Sequence, residues 1–165
     1  MTTTLRRALG AVAAIVLMLT GAIAAAAPAS MAAAPVIPAM TGIRTGANTG
    51  FDRVVLDLTA GPAPAVSYRL TDELTADPSG EVVWLTGQFF VAVTAKPAAA
   101  HDVNGNPTYA GPQKFRTRNL RNVMAVAVTG DFEGVLSIGL GTRSQTWVRV
   151  FTLTAPDRVV IDVGS

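Results

Sequence analysis

The sequence predicts an all-β fold, a β-sandwich or partly open barrel of about eight short, mostly antiparallel strands. Three observations predict it. Beyond residue 50 the apolar residues recur with period two, and no stretch carries a convincing amphipathic-helix pattern. Valine, aromatics and threonine fill these runs, and glycine, proline, asparagine and aspartate separate them at short intervals. Finally, "FDRVVLDL" at 51–58 returns as "PDRVVIDV" at 156–163, so one strand pattern is written near each end of the folded part.

The chain opens with "MTTTLRRALGAVAAIVLMLTGAIAAAAPAS". Arg6 and Arg7 precede an uncharged apolar stretch from Leu9 to Ile23, and small residues follow. This is the pattern of a secretory signal peptide, expected over 1–32 and expected to be cleaved. The alternative is an uncleaved anchor, because Leu9 to Ala27 approaches the roughly 20 residues that cross a bilayer. Either way an extracytoplasmic, envelope or secreted location is expected. The chain has no cysteine, which excludes disulfides, thiolate metal sites and a lipid carried on sulfur.

The formal charge of +2 belongs to the leader. Residues 1–34 hold two arginines and no acid, which leaves eleven basic and eleven acidic residues beyond them. A neutral exported part argues against a nucleic-acid partner. Residues 33–50, "AAPVIPAMTGIRTGANTG", lack sustained periodicity and read as an Ala/Pro/Gly-rich linker. The domain proper is expected over 51–165, about 115 residues, enough for a single core without staples.

The expected strands follow in order. Val54 to Leu58 alternates, and Ala65 to Leu70 follows the Gly61-Pro62 break. "EVVWLTG" (81–87) and "FFVAVTA" (89–95) are spaced as a hairpin. "NVMAVAVTG" (122–130), "GVLSIGLG" (134–141), "TWVRVFTL" (146–153) and "RVVIDV" (158–163) complete the set. The segment from Lys96 to Arg121 is too long for a tight turn, and long loops in compact domains are often functional.

Aspartate is unfavourable inside a strand, so Asp57 and Asp162 require partners. Val54, Leu56 and Leu58 share one face, and Arg53, Val55 and Asp57 the other. The second copy divides in the same way, Val159, Ile161 and Val163 against Arg158, Val160 and Asp162. Arg53 cannot reach Asp57 along its own strand, since four residues span well over 10 Å. Parallel in-register pairing of the copies would set like charges side by side. Antiparallel pairing sets Arg53 opposite Asp162, Val55 opposite Val160 and Asp57 opposite Arg158, each opposite-charge pair contributing about 0.2 to 1 kcal/mol. First-to-last antiparallel pairing suits the sequence better. The alternatives are equivalent places in two similar halves of a sandwich, or solvated strand-entry residues.

"GFDRVVLDL", "AHDVNGNPTYAGP", "GDFEGVLSIGLG" and the terminal "PDRVVIDV", in this order and spacing, resemble the AMIN-like domain of actinobacterial exported proteins and lipoproteins over about residues 50–165. That family is similar to the AMIN domain, an all-β module found beside cell-wall amidases and in secretins and associated with peptidoglycan binding and envelope localisation. The resemblance implies a non-enzymatic envelope module whose partner is peptidoglycan or another cell-wall polymer. Many relatives carry a cysteine after the signal, and this chain does not.

Local chemistry adds candidates. His101 is the sole histidine, with no GxSxG stretch or cysteine to serve as a nucleophile, so a structural loop histidine is expected, and neither catalysis nor a cofactor. Asp102, Asn104 and Asn106 are spaced like calcium-loop ligands. Yet the glycine falls fourth rather than sixth and Gln113 stands where a glutamate belongs, so a tight turn is expected. Lys114, Arg116, Arg118 and Arg121 lie within eight residues without an acid. Extended, the first three share a face that could attract anionic polymer, or simply guard a sheet edge. Tyr109 and Phe115 could stack on sugar rings. The candidate ligand-binding set is therefore His101, Asp102, Asn104, Tyr109, Lys114, Arg116, Arg118 and Arg121. Trp84 and Trp147 are expected in the core, and "GDFEG" is expected to be a turn with solvated acids and an inward Phe132. A protein partner, or a second copy, meeting a sheet edge is the alternative to polymer binding.

Overall fold

The structure, a computed structural model, describes residues 36–165. The expected signal segment 1–32 and the first residues of the expected linker lie outside the described residues. Among the described residues there is no helix. Nine strands form among them: β1 (Met40–Asn48), β2 (Phe51–Leu58), β3 (Ala65–Thr71), β4 (Phe89–Lys96), β5 (Lys114–Arg116), β6 (Val123–Phe132), β7 (Val135–Thr142), β8 (Val148–Leu153) and β9 (Arg158–Gly164). They make two antiparallel sheets, ordered β1-β2-β9-β8 and β3-β4-β7-β6-β5. The sheets pack as a sandwich and do not close into a barrel.

Period-two alternation decides which side chains enter the core. The four-stranded sheet turns Val54, Leu56, Val159 and Ile161 inward. The five-stranded sheet answers with Val91, Val93, Leu136, Ile138 and Leu140, and all are nearly inaccessible to solvent. Two tight hairpins frame the sheets. Thr49-Gly50 joins β1 to β2, and Glu133-Gly134 joins β6 to β7 with both residues at positive φ (50° and 70°), as a mirror-image two-residue turn requires. Phe132, at the mouth of the second hairpin, is 48 % exposed rather than inward.

The two copies of the repeated motif are neighbours. β2 and β9 pair antiparallel with Arg53 opposite Asp162, Val55 opposite Val160 and Asp57 opposite Arg158. The first opposition becomes a forked ion pair, Arg53 Nε to Asp162 Oδ1 at 2.7 Å and Nη2 to Oδ2 at 2.9 Å. Arg149 on β8 reaches the same carboxylate from the other side at 2.7 Å. The arginine planes also lie against aromatic rings, Arg53 5.2 Å from Phe51 and Arg149 5.0 Å from Phe151. Asp57 departs from expectation. Although Arg158 stands opposite it, its carboxylate accepts both hydrogen bonds from Arg44 on β1, each at 2.6 Å.

Two of the expected elements fail. Residues 40–48 of the expected linker are β1, laddered on β2 from Met40↔Leu58 to Asn48↔Phe51. Only Met40 of that strand is buried, so an edge strand with one core residue shows no alternation. The expected strand 81–87 is instead part of a strap, residues 72–88, folded over the outer face of the five-stranded sheet. Its ends come together through Thr75↔Val82 and through Val83 N–H to the Leu74 carbonyl at 2.8 Å. The sheet-edge reading of the basic run holds, since β5 is a short edge strand inside the long connection and brings the count among the described residues to nine.

The first aspartate of each motif copy does different work. Asp52 is fully buried and accepts three backbone N–H groups, from Arg121 (3.1 Å), Asn122 (2.6 Å) and Val123 (2.8 Å). Asn122 in turn donates to the Gly164 carbonyl (2.7 Å) and accepts from Arg143 (3.0 Å) and Ser144 (2.9 Å). One end of the sandwich is thereby sewn sheet to sheet. Asp157 closes the other end less tightly, accepting from Gly61 N–H at 3.2 Å.

Burial alone would raise the pKa of Asp162. The hydrogen bonds and charges of Arg53 and Arg149 outweigh it, leaving the carboxyl below its ordinary value. A lowered folded-state pKa contributes stability that is complete above the unfolded value near 3.9 and lost as pH falls through the folded one. Asp162→Asn should therefore cost about 2 kcal/mol at pH 7, since the two stranded arginines are partly exposed and regain water. Urea unfolding at a series of pH values should show the gap from the unsubstituted protein closing below about pH 4. A gap independent of pH would contradict the assignment.

Candidate functional site

Segment 101–121, where the ligand contact is expected, divides into two places in the structure. Its first half folds on itself. Asp102 Oδ1 accepts the N–H groups of Asn104 (2.8 Å) and Asn106 (2.9 Å), and Oδ2 accepts the Asn106 amide (3.1 Å). Gly105 sits at φ 83°. This is the tight turn expected from "DVNGNP", and the hydrogen bonds from Asn106 and then Asn104 hold the Asp102 carboxyl below its usual range. Tyr109 is buried, its hydroxyl donating to the Pro112 carbonyl at 3.3 Å, and burial pushes its phenol pKa up. It offers no face to a sugar, and Phe115 is also turned toward the core. Burial leaves Tyr109 no free ring face for the stacking that the sequence allowed, whereas Phe115 is only partly buried.

His101 Nδ1 lies 2.6 Å from Asp131 Oδ2. The expected loop histidine bonded to its surroundings is thus present, but its partner corrects another expectation. Asp131 is partly buried rather than solvated, and its Oδ1 is buried without a hydrogen-bond partner among the described residues. No serine or threonine hydroxyl among the described residues bonds to His101.

The second half of the segment builds a basic edge. β5 is the outermost strand of its sheet, with Lys114 and Arg116 exposed on one face and Phe115 alternating inward. The chain then turns back through 117–122, with Asn119 at φ 63° and Thr117 N–H donating to the Met124 carbonyl at 3.0 Å. Arg118 and Arg121 belong to this turn, so the shared extended face holds only for Lys114 and Arg116. All four cations are exposed, and among the described residues none enters an ion pair. From Arg116, opposite Ala125, to His101, beside Asp131, the distance along β6 is about 20 Å, so the two halves are separate sites.

The sequence did not mark what lies beside the cations. Trp84 is 81 % exposed, not buried, and Lys114 Nζ donates to its carbonyl at 2.9 Å. Trp84, Leu85, Thr86, Lys114, Phe115 and Arg116 line a surface groove of about 290 Å³. The strap places Trp84 there, and glycines let the strap approach. A Cβ on Gly139 would strike Leu74 at 2.7 Å, one on Gly130 would strike Asp77 at 2.6 Å, and one on Gly141 would collide with the Thr86 carbonyl oxygen. Asp77 fixes the far end by accepting from Ser137 Oγ at 2.8 Å. The glycines of "VTGDF" and "SIGLGT" were the available signal, read as turn and strand residues rather than as a bed for a second layer. Trp147 also escapes the core. It is 53 % exposed on the outer face of the other sheet, over Gly164 and 6.1 Å from the Phe51 ring.

An exposed indole beside unpaired cations can lay an apolar face on a sugar ring while lysine and arginine hold carboxylates. Among the described residues no cluster of three or more His, Asp or Glu side chains is arranged to hold a metal. The family model of the AMIN-like domain matches residues 38–165, so its match begins before β1. No curated protein matches the chain.

Gly141→Ala tests how Trp84 is held. The added methyl should force the strap off β7 at a cost of about 1–3 kcal/mol, and amide exchange at Gln88, whose N–H donates to the Thr142 carbonyl at 2.7 Å, should accelerate. Unchanged stability and exchange would show that the strap does not depend on this close approach.

Proposed function

Because the chain belongs to the AMIN-like domain family, we propose that it is a non-enzymatic, exported module that binds cell-envelope polymer, with peptidoglycan the favoured ligand. The observation that carries this proposal is Trp84, 81 % exposed beside Lys114 and Arg116. An exposed tryptophan forgoes roughly 1.5–3 kcal/mol of burial, and tryptophan and arginine are the residues on which binding surfaces concentrate their energy. Peptidoglycan presents the two chemistries this surface complements, sugar rings and carboxylates. The N-terminal Arg6-Arg7 and apolar Leu9–Ile23 stretch support export.

A second reading, docking of a protein on a sheet edge, is favoured by β3. This edge strand exposes Tyr68 (45 %) and Leu70 (44 %) on one face.

Sedimentation with purified insoluble peptidoglycan tests the first reading. The protein should co-sediment, and Trp84→Ala, or Lys114→Glu with Arg116→Glu, should weaken binding about tenfold or more while leaving the fold intact. Binding should also weaken as salt is raised, because the cations are exposed. Folded protein that stays in the supernatant, or variants that bind as well as the original, would refute the proposal. Concentration-dependent dimers abolished by Tyr68→Glu would favour the second reading.

A further inference from the structure

At the end of the sandwich sewn by Asn122, a second cleft opens between the end of β3, the start of β4 and the loop leading to β8. Its volume is about 210 Å³, below the roughly 300–1,000 Å³ of pockets that hold drug-sized ligands, so it suits a single side chain. Leu70, Phe89 and Val148 supply apolar walls, and Leu70 and Phe89 remain 44 % and 40 % exposed.

The polar groups of the cleft fall into two kinds. Thr71, Thr142 and Thr146 have committed their hydroxyls, donating to the carbonyls of Glu73 (2.8 Å), Phe89 (3.3 Å) and Gly164 (2.9 Å). Asp72, Ser144 and Gln145 have not. Among the described residues their side chains make no hydrogen bond, and Asp72 enters no ion pair. Among the described residues Asp72 is the one charged side chain lining the cleft, and Arg143, next in sequence to Ser144, does not line it. The backbone at Ser144 is held, since its N–H donates to Asn122 Oδ1 at 2.9 Å.

An ammonium group brings three donors and no acceptor. A carboxylate, an amide carbonyl and a hydroxyl lining one cleft beside an apolar wall match that count and that charge. We propose that this cleft binds a primary ammonium on an aliphatic stem, the amine-bearing side chain of a peptide. The methylenes lie along Leu70, Phe89 and Val148, and the nitrogen donates to Asp72, Gln145 and Ser144. The site shares no residue with the Trp84 surface, so it stands or falls independently of polymer binding there.

A titration of the full chain followed by NMR tests the proposal, with Nα-acetyl-lysine methylamide as the probe. The Leu70 and Val148 methyls and the Gln145 side-chain amide should shift. Acetylating the probe's ε-amine should weaken binding about tenfold or more, and so should Asp72→Asn, while the paired substitutions Lys114→Glu and Arg116→Glu should leave it unchanged. Asp72 is exposed, so its variant is expected to fold. Glucosamine, whose ammonium sits directly on a ring, distinguishes a sugar source from a peptide one. No shift at these residues, an equal response to the acetylated probe, an unaltered Asp72→Asn variant, or binding of glucosamine in preference to the lysine probe would each overturn the assignment.

Discussion

Asp162 is a carboxylate removed from water on the central strand β9, and it stays charged because arginines reach it from the strands on both sides. A buried charge without partners costs several kcal/mol, whereas one held by the forked Arg53 and a further hydrogen bond from Arg149 is tolerated. This fixes more than one contact. Slipping β2 against β9 by a single residue would carry Arg53 away from Asp162 and turn Val54 and Leu56 to the outer face, so polar and apolar demands reject the same errors. With that register set, β2 also delivers Asp52 to the start of β6 and β9 delivers the Gly164 carbonyl to Asn122. The link between the two sheets, and the cleft beside it, follow from the pairing of the motif's two copies.

The five-stranded sheet follows a different logic. Its inner face is ordinary aliphatic packing, but its outer face at β7 is bare backbone at Gly139 and Gly141, and Leu74 and Thr86 rest there. A layer that would otherwise be solvated side chains becomes a shallow bed. The strap gains burial for Leu74, and in return its crest can leave Trp84 in water beside a strand of cations. Rigid support beneath an exposed aromatic limits the ordering entropy that a ligand must overcome.

The sequence disclosed the all-β architecture and the register of its central pair, because alternating charges in two copies allow one good antiparallel match. It did not disclose β1, whose residues are largely exposed and whose ladder is visible only in backbone pairing. The expected Asp57–Arg158 opposition holds, but that omission hid the cation that hydrogen-bonds Asp57, Arg44 on the unseen strand. The basic residues of the site were legible as a run. Their aromatic neighbour was not, because Trp84 sits in a stretch with strand-like composition and its exposure is decided by glycines some fifty residues away on β7. Tyr109 erred in the opposite direction, since a polar loop hid a side chain packed beneath it. The His101–Asp131 contact joins residues thirty apart, and no local pattern could have paired them.

Amide hydrogen exchange measures the claim that the β2–β9 pair is the spine of the molecule. Amides in central strands open only with the whole fold, while those of surface segments open locally. Val54, Leu56, Val159 and Ile161 should be among the slowest to exchange, with opening free energies equal to that of global unfolding, and the strap at 72–88 should exchange well before them. Exchange in β2 and β9 as fast as in the strap would contradict the account, because the motif copies would then be an adornment of the fold rather than its frame.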